Sequence, residues 1–187
     1  VCGLKDGDAR AVFRNFNFDM RMYKRLKMFV HVESGGDFDD LQDGDLSIFV
    51  RLGSDYNGNY YEYEVPMRVS EWGAVLPEDI WPADNNIDLV FEDLKTLKLA
   101  RNAAMETDPT LSLTNKYSVI TPDGIALSVV GAPNISNVRT LIIGVRNPKK
   151  RTATDGDDGQ DKCAEIWVNE LRLSDFDNRG GWAATAT

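Results

Sequence analysis

The stretch LKMFVHVE, residues 26–33, puts Leu26, Met28, Val30 and Val32 on one side of an extended chain and Lys27, Phe29, His31 and Glu33 on the other. Successive side chains of a strand point to opposite faces, so this alternation marks a strand with one buried side. The same period recurs in both directions. Upstream, residues 9–19 alternate through Val12, Arg14, Phe16 and Phe18, with one slip in phase at Phe13. Downstream, Leu46, Ile48 and Val50 form one inward face. Tyr61, Tyr63, Val65, Met67 and Val69 form another, opposite Glu62, Glu64 and Arg68. Asn57-Gly58 between these two runs is a hairpin signal, because both residues tolerate positive φ. Pro66, lacking a backbone donor, predicts an edge strand or a bulge.

After an irregular stretch over 72–84 the period changes. Ile87, Val90, Phe91, Leu94, Leu97 and Lys98 recur at three- and four-residue steps, which predicts a helix over 87–103 with Asn85 or Asn86 as N-cap. Phe91 and Leu94 are its expected core contacts. Short strands follow at 116–120 and 125–130, separated by Thr121-Pro-Asp-Gly124. The apolar run VRTLIIGV, 138–145, reads as a strand covered on both faces. In the last strand, 164–173, Ile166 and Val168 share one parity while Leu171 and Leu173 share the other. One extra residue near Asn169–Glu170, a β-bulge, would bring all four to one side. About eight strands with regular turns and one amphipathic helix predict an antiparallel β-sandwich, jelly-roll-like, forming a single domain over 1–187.

Composition narrows the function. Hydrophobic residues at 42% and charged residues at 27% support a packed core rather than disorder. The net charge of −9 opposes nucleic-acid binding, which needs clustered Lys and Arg, and opposes docking on anionic lipid. No apolar run is long enough for a membrane-spanning helix, and none has the layout of a signal peptide. The chain reads as a piece of something longer.

Candidate chemistry is sparse. His31 on an alternating strand reads as a partly exposed strand residue, and without a second His no nucleophile–base pair assembles. Glu62/Glu64 and Asp39/Asp40 read as solvated carboxylates rather than a glycosidase pair. No glycine-rich phosphate loop is present. No cofactor is indicated, although calcium suits the oxygen-rich loop carrying Asp155, Asp157, Asp158 and Asp161, and the earlier one carrying Asp37, Asp39, Asp43 and Asp45. Neither loop has the EF-hand pattern, and solubilising loops are preferred. Cys2 and Cys163 have no ligand-spaced neighbours, so zinc is disfavoured. They are either two reduced, buried thiols or one disulfide tying the first residues to the last strand, and the bridge is favoured. Among the aromatics, Tyr60, Trp72 and Trp81 are candidates for a carbohydrate-stacking surface, with core packing as the competing reading of these rings.

The string EIWVNELRLSDFDNRGGWAA, 165–184, resembles the SprA/Sov family of Bacteroidetes, very large outer-membrane proteins of the type IX secretion system that also serve gliding motility in some members. Three further strings resemble it in the same order: LKDGDARAVFRNFNFDMRMYKRLKMFVHVE (4–33), IFVRLGSDYNGNYYEYEVPM (48–67) and IWPADNNIDLVFEDL (80–94). The resemblance implies a fragment of a translocon, a giant β-barrel passing folded cargo. Its partners would be the rest of that chain and accessory secretion proteins, and it would lie on the extracellular or periplasmic side. It supplies no catalytic residues. Barrel walls carry an alternating lipid-facing band; short strands, acidic loops and a helix instead predict a domain inserted between barrel strands. The expected function is therefore a non-catalytic structural or interaction domain. The alternatives are a carbohydrate-binding module and, more remotely, a glycan-processing enzyme.

Overall fold

Among the described residues, alternation along the chain resolves into nine strands in two layers. The computed structural model describes residues 1–35, 41–152 and 157–177. Within them lie β1 (Ala9–Phe18), β2 (Tyr23–Ser34), β3 (Ser47–Gly53), β4 (Tyr60–Pro66), β5 (Ile87–Val90), β6 (Tyr117–Ile120), β7 (Ala126–Val130), β8 (Val138–Arg146) and β9 (Ala164–Phe176). Two helices join them, the short α1 (Pro77–Ile80) and the longer α2 (Phe91–Thr107). One sheet runs β1-β8-β3-β4-β7-β6 and the other β5-β2-β9, with every pairing antiparallel. The protein is thus the expected antiparallel sandwich. Its core lies between the sheets, where Leu26, Met28, Val30 and Val32 of β2 meet Ile48, Val50 and Leu52 of β3 and Tyr61, Tyr63 and Val65 of β4.

The bulge in the last strand is real. Lys27 pairs with Arg172 and Phe29 with Asn169, so Met28 alone opposes two residues of β9. Glu170, one of the two, has a positive φ of 53°, the left-handed conformation found in G1-type bulges.

Three expectations need correction. Residues 87–90 are not helical: they form β5, pairing Ile87 with Met28 and Val90 with Arg25. The run Ile87, Val90, Phe91, Leu94 fits a helix, but the free edge of β2 offers four residues a ladder, and pairing overrides local spacing. The helix starts at Phe91 without a side-chain cap, and Glu92 and Asp93 in its first turn face the positive end of its dipole. Neither Asn85 nor Asn86, the two expected caps, caps it, and Asn85 is buried instead. Its Oδ1 accepts from the Arg68 N–H at 2.7 Å and its Nδ2 donates to the Arg68 carbonyl at 2.8 Å, imitating a strand partner. Pro66 ends a central strand rather than marking an edge or bulge. β7 pairs with β4 only as far as Glu64, so the missing donor interrupts no rung.

Candidate functional site

On the face of the large sheet turned away from the core, strand register assembles a charged row. Phe13, Ile142, Arg51, Glu62, Ser128 and Ser118 stand side by side across β1, β8, β3, β4, β7 and β6. Glu62 has no exposed surface. Its Oε2 accepts from Arg51 Nε at 2.9 Å and Nη2 at 2.5 Å, and its Oε1 accepts from Lys116 Nζ at 2.6 Å and Arg146 Nη2 at 3.4 Å. Glu64 accepts from the Ser47 hydroxyl at 2.5 Å and from Arg146 Nη1. Burial taken alone would raise the Glu62 carboxyl; Lys116, then Arg146 and Arg51, more than reverse this and hold it below the ordinary glutamate range.

The two guanidiniums also roof aromatic rings. Arg51 lies 3.9 Å from the Tyr60 centroid and Arg146 lies 4.7 Å from that of Phe49. Tyr60 is consequently buried, which corrects its reading as an exposed stacking ring. The reading of Glu62 as a solvated carboxylate is corrected as well, since three cations from outside its own strand enclose it. No local signal marks this cluster. Arg146 alone comes from 84 positions beyond Glu62, and only sheet order makes the members neighbours.

The other candidates fall elsewhere. Trp81 is half-buried, edge-on to Phe29 at 6.5 Å and His31 at 5.9 Å. Trp72 alone among the three stands free, 86% exposed at the rim of a polar cleft of about 820 Å³ with Asp43, Arg68, Glu71 and Asp79 among its walls. His31 is buried rather than partly exposed, and its Nδ1 lies 2.6 Å from the Ile80 carbonyl, which fixes it against α1.

Cys2 and Cys163 form a disulfide. Beside it the two acidic loops meet through a lysine. Lys162 Nζ donates to Asp45 at 2.8 Å and to Asp158 at 2.7 Å. Burial would lower the Lys162 ammonium, but Asp158 and Asp45 raise it overall. Of the calcium candidates, Asp157 accepts from the Gly159 N–H within its own turn at 2.7 Å and Asp161 is exposed; Asp155, Asp37 and Asp39, like Asp40, lie outside the described residues. Among the described residues, no three His, Cys, Asp or Glu side chains gather at metal-binding distance.

A family model whose description reads "motility related/secretion protein" matches residues 1–187, the full length of the chain. No curated protein matches it.

Proposed function

Because the chain belongs to the SprA N-terminal family of motility-related and secretion proteins, we propose that it is a non-catalytic structural and interaction domain of a type IX outer-membrane translocon, serving protein secretion and gliding motility. The family match over every residue carries this reading. Its partners are the rest of the translocon chain and accessory secretion proteins, and it sits on the extracellular or periplasmic side, outside the barrel wall. The disposition of charge supports such a role. An acid, base or nucleophile must be free to exchange a proton with a substrate. Here Glu62 is committed to three cations, Lys162 to two carboxylates and His31 to a backbone carbonyl. No helix among the described residues is long and apolar enough to cross a membrane.

The test is removal of residues 1–187 from the parent protein in its native cell. Secretion and gliding should fall while the remaining channel still reaches the outer membrane; normal secretion without the domain overturns the proposal.

One observation favours a second reading, a carbohydrate-binding surface. Trp72 stands exposed beside a cleft with carboxylates and a guanidinium, the combination that stacks on a sugar ring and binds its hydroxyls. Calorimetric titration with soluble oligosaccharides should then give heat that Trp72→Ala abolishes. Silence up to roughly millimolar sugar, the weak end of specific binding, removes this reading.

A further inference from the structure

The two layers differ in width. Opposite the six-stranded sheet stand, among the described residues, three strands and α2. α2 packs on the side of β6 and β7, while β5, β2 and β9 cover the middle. β1 is left bare. Val12, Ile143 and Val50 lie in register on the inner face, yet Val50 is 1% exposed and Val12 is 70% exposed. Arg10, Val12 and Arg14 therefore floor an open lane. At one end it deepens into an apolar cleft of about 220 Å³, where Phe16, Phe18 and Leu141 face Leu171 and Leu173 of β9.

The wall of the lane is the outer edge of β9. In an antiparallel strand the N–H and C=O of one residue point to the same side, and neighbours alternate. The Cys163 carbonyl accepts from Gly35, next to β2, so Ala164 points outward. Val1 takes that rung: its carbonyl accepts from the Ala164 N–H at 2.7 Å, and its amino group donates to the Ala164 carbonyl at 2.6 Å. Ile166 and Val168 share the outward parity, and among the described residues no strand pairs with that side. Long edges are usually blocked by charge, proline or brevity. In β9 the bulge and the exposed charges Glu170, Arg172 and Asp175 fall in the second half, and the stretch before them is open, with Trp167 and Val168 exposed.

We propose that the lane is a docking site for an extended strand of a partner protein, laid antiparallel to β9 from Ile166 onward. Its inward side chains are apolar where they meet Val12 and Phe16, with a carboxylate against Arg14. Charge sets the acidic requirement: the Arg14 side chain has no ion pair or hydrogen bond among the described residues, although acidic residues outnumber basic ones by nine in the chain. A second copy fits poorly. The inward side chains that its β9 would bring, Ile166, Val168, Leu171 and Leu173, put no carboxylate against Arg14. This inference rests on the reading of the chain as an interaction domain and names the surface that reading requires.

The experiment mixes the 187-residue chain with a short capped peptide of alternating valine and threonine, carrying glutamate at one valine position. A lysine counterpart and two protein variants complete it. Val168→Pro removes an outward N–H that makes no rung with β2, and Val12→Lys changes an exposed floor residue. Amide exchange at Ile166 and Val168 should slow by about tenfold or more with the acidic peptide. The lysine peptide should bind about tenfold more weakly, as should the acidic peptide to either variant, read in Val168→Pro at Ile166. Absence of protection up to roughly millimolar peptide overturns the proposal. So does equal binding of the lysine peptide, or protection of the same amides by concentration-dependent dimers in sedimentation. Failure here with secretion still dependent on the domain would remove the lane and leave the scaffolding role standing.

Discussion

Glu62 has no contact with water, and its two oxygens gather two guanidiniums and an ammonium. Glu62→Gln keeps the shape and deletes the charge that opposes all three. Breaking a buried ion pair from one side costs about 3 to 5 kcal/mol, so denaturant unfolding should show a loss on that scale. The pH dependence follows from its lowered folded value. The stabilisation is complete above the unfolded glutamate value and disappears as pH falls through the folded one, so wild type and variant should converge in acid. Lys162 runs the other way, since its folded value is raised: its contribution holds below the unfolded lysine value and fades as pH climbs through the folded one. Gly144 faces the same side as Glu62. A Cβ there would collide with the Phe49 ring and come within 2.7 Å of Ala11 Cβ, so Gly144→Ala should cost about 1 to 3 kcal/mol in the same assay. None of this was legible in YYEYEVP, where alternating carboxylates read equally well as a wetted face. Burial of that parity is a product of Arg51, Lys116 and Arg146 arriving from distant parts of the chain.

Helix α2 holds its place through Phe91, Leu94 and Leu97, all buried, while Leu99 on the opposite face is exposed. Leu94→Asp buries an unpaired carboxylate and should cost about 4 kcal/mol or more. Leu99→Asp should change stability by less than about 0.5 kcal/mol, and equal melting temperatures for the two would show the helix face to be free. The packing face was readable from three- and four-residue spacing; the start of the helix was not, because β5 is held by the edge of β2 and not by its own sequence. The bulge of β9 was readable because a strand whose apolar parity switches midway needs an extra residue to keep both halves on the core. β1 was only half readable. Its alternation marks an inner face, but whether that face is covered depends on the width of the opposite layer, which no window of sequence encodes.

Topology ties the chain ends together. β2 pairs with β9 across more than a hundred residues, and the Cys2–Cys163 disulfide closes a separation of 161. In the chain-entropy account a loop of that size is worth about 5 kcal/mol, of which native bridges typically deliver about 2 to 5. Thermal unfolding with and without reductant should differ accordingly, and an unchanged midpoint would show the bridge to be idle. The sandwich class was legible from periodicity and turns, and the pairing of the two cysteines was favoured on sequence. The order of strands within each sheet was not, since it depends on contacts between segments far apart. The bridge has a mechanical corollary for a motility-related family. Tension entering at Cys2 and leaving beyond Phe176 bypasses the sandwich through a covalent link, so that a pull can peel β9 but cannot unravel what lies between. Reduced, the same pull would release about 560 Å of slack, at roughly 3.5 Å for each of the 161 positions spanned.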